Sequence, residues 1–372
     1  MSERSHVADI PTAVDLFCGA GGLSLGIRQA GFRIISAVDV DPDSCESYRK
    51  NHVDVRLLEK DIRSIKRRDI LGNRYKRVSV LAGCPPCQGF TRLNETSDRS
   101  DPRNGLVLEY MRLVRELEPD VIFFENVPGL LKNGIWYFNR LKGALIEEGY
   151  DLDSKVLQLA DYGVPQKRRR LIVLGGRGFK LTFPEETHAP KWKLEEFPSR
   201  KPWRTVRRAL KVGKKLGRAQ SLGTLRERGE EPSDYWHVSR KLSKELVGRL
   251  RATPRSGGSR EDLPRDYELE CHSNFNGFHD VYGRLDWAKP SVTITGGCTN
   301  LSKGRFGHPE LLRALTPREA ALLQGFPKAY KFVGSGMESV CQQIGNALPP
   351  PFARKIGFHI LKQLRAQGLV RK

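Results

Sequence analysis

The stretch Ala13-Val-Asp-Leu-Phe17, continued by Cys18-Gly-Ala-Gly-Gly22 and Leu23-Ser-Leu-Gly-Ile-Arg-Gln-Ala30, decides the fold. Ala13–Phe17 reads as a short strand, the glycines as a tight turn, and the remainder as a helix stopped by Gly31. Outward from it the same alternation repeats. Ile34–Asp39 is the next strand, and Asp41 can cap a helix that opens on Pro42, whose missing N–H is no loss there. Val78–Ala82 and Val121–Glu125 are again short and β-rich, separated by an amphipathic stretch from Gly105 to Leu117. Tyr137–Glu148 reads as a helix ended by Gly149, and Leu171–Gly175 as a further strand. Strands and helices in alternation mean βαβ units, hence an α/β fold with a doubly wound, mostly parallel sheet.

After about Pro184 this pattern stops. Glu185 to Arg265 holds 21 Lys+Arg against 11 Asp+Glu with little periodicity, the composition of a separate, irregular, basic domain. Regularity returns at Thr316-Pro-Arg-Glu319, which resembles a capping box. The stretch Pro351 to Gln367 puts Phe352, Ile356, Ile360 and Leu364 on one helical face. The expected division is a catalytic and cofactor-binding part over 1–185, a smaller domain over 186–312, and a return to the first domain over 313–372.

The 372 residues carry a formal net charge of +21, which makes polyphosphate a favoured partner through counterion release. Ribosomal association or general stickiness would satisfy charge alone. No apolar run approaches the ~20 residues that span a bilayer, and Met1–Asp9 has no secretory apolar stretch, so the expected location is the cytoplasm, with no membrane partner. Seven scattered cysteines describe no disulfide framework.

Five sites carry chemistry. The Gly-rich turn lets backbone approach a ligand, and Asp39, at the end of the next strand, is placed for ribose hydroxyls. Ser24 breaks the dinucleotide pattern, so a nucleoside cofactor without a pyrophosphate fits better than NAD; Asp61-Ile62 can meet its adenine. Cys84-Pro-Pro-Cys87 follows a strand directly, and the two prolines present Cys87 rigidly at the sheet's carboxyl edge, where a thiolate would be the nucleophile. The polar stretch Thr91–Asn104 reads as a closing loop. A redox pair or half a zinc site are the competing readings; Pro-Pro disfavours the first, and the lack of a second ligand pair disfavours the second, so no metal is expected. Glu125 ends an apolar strand, where desolvation raises a carboxyl and suits it to donate a proton. In Gln166-Lys-Arg168-Arg-Arg170, strand alternation puts 166, 168 and 170 on one face and Lys167 and Arg169 on the other. Gly345 and Asn346 suit a tight turn before the last helix. Each site alone also has a plainer reading, as a turn, a surface acid or a solvated basic run.

Taken in order, Asp15-Leu-Phe-x-Gly-x-Gly-Gly, Pro86-Cys-Gln, Glu125-Asn-Val, Gln166-x-Arg-x-Arg and Gly345-Asn-x-x-Pro resemble the motif set of the DNA (cytosine-5) methyltransferases, especially the compact bacterial type. The long match from Arg313 to Pro327 adds a sixth. The resemblance implies a class I S-adenosylmethionine-dependent fold and methyl transfer to C5 of a flipped cytosine in double-stranded DNA. It implies that Cys87 attacks C6, that Glu125 protonates or hydrogen-bonds N3, and that Arg168 meets the base or its phosphate, supported by Gln166 and Arg170. Phe17, Gly19, Gly21, Asp39, Asp61, Ile62, Pro86 and Asn346 would line the cofactor pocket, and the segment 186–312 would be the target recognition domain. A monomer is expected, acting alone or beside a cognate restriction endonuclease. Asp39 stands where many members have Glu, and Cys84 is an extra thiol expected to spectate. A tRNA cytosine-5 methyltransferase and a catalytically dead DNA-binding relative are the alternatives. The first usually carries Cys-Phe-Thr beside the nucleophile, and the second tends to lose residues that are intact in this chain.

Overall fold

A computed structural model describes residues 10–86, 105–211, 219–221, 224–225, 235–267 and 279–371. Cys87 and the Thr91–Asn104 stretch lie outside the described residues. By backbone contacts the chain forms two compact units. One comprises residues 1–162, 169–186 and 348–372, the other 163–168 and 187–347.

The first unit is built on seven strands: β1 (Thr12–Leu16), β2 (Arg33–Asp39), β3 (Arg56–Glu59), β4 (Val80–Gly83), β5 (Val121–Asn126), β6 (Tyr150–Gln158) and β7 (Arg169–Arg177). Their order is β3-β2-β1-β4-β5-β7-β6, parallel throughout except that β7 runs against both its neighbours. β4 and β5 are buried along their whole length, so they read as continuous apolar runs rather than alternating ones. β3 and β6 lie at the edges, are largely polar, and escaped the apolar pattern. Asp61-Ile62 directly follows β3.

Helices α1 (Gly22–Gln29), α2 (Pro42–Asn51), α3 (Arg67–Leu71), α4 (Leu106–Leu117) and α5 (Ile135–Glu147) link these strands. Asp41 caps α2 through the Ser44 N–H, as its sequence position foretold. α4 buries Val107, Tyr110, Leu113, Val114 and Leu117 into the same core as β4 and β5. The last helix, Pro350–Ala366, buries Phe352, Ile356, Ile360 and Leu364 completely. It packs on α1 so closely that a Cβ on Gly26 would lie 2.5 Å from both Ala353 Cβ and the Pro350 carbonyl.

Among the described residues the second unit has little regular structure, with a small apolar cluster of Leu250, Val281, Tyr282, Leu301 and Ala314. Arg284, 1% exposed, compensates. Its guanidinium donates to the carbonyls of Leu250 (2.6 and 3.1 Å), His308 (2.9 Å) and Leu311 (2.9 Å). Carbonyls without a ladder partner need such donors, and arginine carries five. The expected capping box is present: Thr316 Oγ1 accepts from the Glu319 N–H and Glu319 from the Thr316 N–H, opening the helix Pro317–Gln324. This helix groups with the second unit, not with the segment expected to return at 313. Its first turn is tied to residues 236–237 by Arg318 N–H to Trp236 O (3.0 Å) and His237 to Thr316 (3.1 Å). Among the described residues no helix is long and apolar enough to cross a membrane.

Candidate active site

At the carboxyl end of β1 the chain turns through three positive φ values: Phe17 (61°), Gly19 (51°) and Gly21 (91°). Asp39, at the carboxyl end of β2, holds the turn. Its Oδ2 accepts the Gly19 N–H at 2.7 Å, and its Oδ1 accepts from Val40 and Asp41 at 2.8 and 2.9 Å. Burial pushes the Asp39 carboxyl up against the pull of those three donors. A Cβ built on Gly19 meets nothing within 4 Å, so the turn faces open space on that side.

Beneath the turn lies a polar network that was not foreseen from the sequence. Asp15, 1% exposed within β1, accepts from both the N–H (3.1 Å) and the hydroxyl (2.6 Å) of Ser24, whose Oγ is 2.8 Å from the Tyr48 hydroxyl. Tyr48 stacks at 4.4 Å on His52, which is hydrogen-bonded to the Gly21 backbone. Burial raises Asp15 to about 7, and burial lowers His52 to about 4. A charged residue inside an apolar strand was the one signal available in the sequence.

The ends of β4, β5 and β7 form a second cluster in the same unit. Glu125, 6% exposed, receives Arg170 Nε on Oε1 at 2.7 Å. From the sequence only desolvation of this carboxyl was visible. The structure adds the Arg170 guanidinium, so Glu125 is half of an ion pair rather than a lone acid. The Cys84 thiol, expected to spectate, is hydrogen-bonded to the same carboxylate. Asn126 Nδ2 donates to the Pro85 carbonyl at 3.2 Å, tying β5 to the segment that leads to half-buried Pro86.

Gln166, Arg168 and Asn346 belong to the other unit. The alternation is as read: Gln166 and Arg168 are buried, Arg170 half-buried, Lys167 and Arg169 exposed. Arg168, expected to meet the base or its phosphate, is held by backbone carbonyls. It is 1% exposed, and Nη1 and Nη2 donate to the carbonyls of Ile294 and Gly345, both at 2.9 Å. Gln166 accepts from the Ile294 N–H (3.0 Å) and donates to Gln324 Oε1 (2.5 Å). Both residues staple the backbone. Gly345 and Asn346, expected in a tight turn, instead end the helix Met337–Asn346; a Cβ on Gly345 would lie 2.3 Å from Gly296 N. Asn346 is exposed and accepts from Gln342 at 3.0 Å. In the first unit Asp61 is exposed and caps a short turn through the Arg63 N–H, while Ile62, 3% exposed, sits in the core with little surface for adenine.

A sheet of this order with one reversed strand, and a Gly-rich turn answered by an acid on the adjacent strand, define a class I methyltransferase architecture. The family model for C-5 cytosine-specific DNA methylase matches residues 12–362, and the chain belongs to that family. It is 34% identical over 365 residues to the Type II methylase M.HgiDII of Herpetosiphon aurantiacus, covering 95% of this chain and 96% of that one. Among solved structures it is similar to a prophage-encoded E. coli protein assigned as a DNA modification methyltransferase (TM-score 0.70, 25% identity, 95% and 99% of the two chains). The S. pombe Dnmt2 methyltransferase shares the fold, at TM-score 0.62 and 18% identity over 97% and 99% of the chains.

Proposed function

We propose that this enzyme methylates carbon 5 of a cytosine swung out of duplex DNA within a specific sequence, through a transient bond between the Cys87 sulfur and carbon 6. The observation that carries this is Glu125, an oriented, buried carboxylate at the end of β5, hydrogen-bonded beside the strand that continues into Pro85-Pro86-Cys87. A thiolate adding to C6 pushes negative charge onto N3, and a carboxyl that hydrogen-bonds or protonates N3 relieves it. Once carbon 5 has gained the methyl group, loss of its proton expels the sulfur and restores the ring. A stacked, paired cytosine hides C6, so the base must leave the helix at a cost of a few kcal/mol, offset by contacts from a basic surface.

S-adenosylmethionine suits the Gly-rich turn. The three N–H groups on Asp39 leave about one of a carboxylate's four acceptor sites for a ribose hydroxyl, and the space beside Gly19 is open. Phe17, Gly19, Gly21 and Asp39 would hold the group, which when bound supplies an electrophilic methyl. The Type II naming of the relatives supports action beside a cognate restriction endonuclease.

The test is transfer of labelled methyl groups to duplex DNA, with a duplex carrying 5-fluorocytosine as a trap. Fluorine cannot leave as a proton does, so a covalent adduct should remain on Cys87. Equal methylation by Cys87→Ser, or a trapped duplex joined to another residue, would remove Cys87 from the mechanism.

A further inference from the structure

The strand register places Cys84 where a structural spectator would not need to be. β4 and β5 run parallel with Gly83 opposite Phe124, so the next residues along, Cys84 and Glu125, leave the two strands side by side. β5 and β7 are antiparallel with Glu125 opposite Ile172, which brings Arg170 to the same end from the other side. Glu125 therefore has a thiol on its β4 flank and a guanidinium on its β7 flank.

We propose that Cys84 is a positioning residue for methyl transfer: its S–H donates to the Glu125 carboxylate and, with Arg170, fixes the direction in which that carboxylate presents itself to the base. The inference rests on the reading of Glu125 as the group that meets cytosine N3.

Three features support it. The thiol remains a donor, because burial, the Glu125 and Asp15 charges, and the hydrogen bond itself hold it well above the ordinary thiol range. That also separates it chemically from a nucleophile, which must ionise. Its backbone is pinned, since Cys84 N–H donates to Leu16 O at 3.2 Å and Asn126 holds the next carbonyl. The strand end has no room to relax, because a Cβ on the preceding Gly83 would meet the Tyr110 ring at 2.9 Å. An ion pair through one oxygen leaves the carboxylate free to rotate about its bonds; a second donor from the opposite flank removes that freedom.

The test uses the intact enzyme and the S–H stretching band, which lies in an infrared region clear of other protein absorption. The spectrum of Cys84→Ala subtracted from the parent isolates the Cys84 band, expected at the lowered frequency of a strong donor, and Glu125→Gln should move it toward that of a free thiol. In single-turnover assays Cys84→Ala should methylate about fivefold more slowly, the loss of roughly one modest hydrogen bond, with DNA affinity unchanged. Cys84→Ser, which keeps a donor, should recover most of the rate, and thermal melts establish that each variant is folded. A band unmoved by Glu125→Gln, or a Cys84→Ala rate equal to the parent's, overturns the proposal. If Glu125→Gln itself methylates normally, the reading of Glu125 falls and the positioning role with it, even where the band shift stands; a dead Glu125→Gln with an unmoved band sinks the thiol contact alone.

Discussion

His52 holds the Gly-rich turn from below although it belongs to none of the motifs that mark the site. It is neutral in the folded protein, about 4 against an ordinary 6.5, because burial disfavours its charge. A base depressed on folding contributes its full stability above pH 6.5 and loses it as pH falls toward 4, here by roughly 3 kcal/mol at most. Asp15 works in the opposite sense across the same window, being raised to about 7, so the parent's pH curve mixes the two. Melting His52→Phe, which keeps a ring against Tyr48, beside the parent from pH 7 to 4 isolates the histidine: the variant should lose less stability on acidification. Parallel curves would show that His52 is not the titrating group. The Glu125–Arg170 pair makes a second prediction. Arg170→Leu leaves a buried carboxylate unpaired and should destabilise the protein by about 3 kcal/mol. Adding Glu125→Gln should restore most of that stability without activity, as read from chemical denaturation and methyl transfer. Full additivity of the two losses would rule out the coupling.

Among the elements, legibility followed burial. β1, β4 and β5 sit inside the sheet and are mostly apolar, whereas β3 and β6 are half-exposed edges whose polar residues carry no periodic signal. Helix ends with side-chain caps were plain at Asp41 and Thr316. The helix Met337–Asn346 was hidden because Gly345 resembles a turn residue. Its glycine answers instead to the backbone of residues 295–296 pressed against it. Gly26 poses the same contest in α1. Alanine is favoured there by about 1 kcal/mol in helix propensity, yet its Cβ would strike the Pro350 carbonyl and Arg354 N within 2.6 Å. Overpacking against backbone costs about 1–3 kcal/mol, so Gly26→Ala should lower the melting temperature. A raised melting temperature would mean that the last helix gives way freely.

Over the chain as a whole, charge governs how DNA binding responds to salt, and sparse secondary structure sets how the second unit coheres. With a net charge of +21, a duplex contact neutralising six to ten phosphates loses about 10³–10⁵ in affinity between 50 and 200 mM salt. Titrating labelled duplex across that range should give a linear log–log fall of such steepness. A flat profile would argue against phosphate contacts as the source of affinity. The second unit relies on buried arginines, 168 and 284, where a regular domain would use ladders. No composition count separates these two from the other Lys and Arg, most of which are solvated among the described residues.

What local order along the chain could show, it showed: the βαβ alternation, the capped helices and each separate motif depend on residues within a few positions of each other. What it could not settle are the partners of long side chains. Arg168 finds its acceptors 126 and 177 residues away, Gln166 meets Gln324 158 away, and Cys84 reaches Glu125 across a strand pair. Such donors stretch to whatever carbonyl or carboxylate packing leaves unsatisfied within about 3 Å. Packing, not spacing, therefore chose the carbonyls that Arg168 meets and set Cys84 beside the acid.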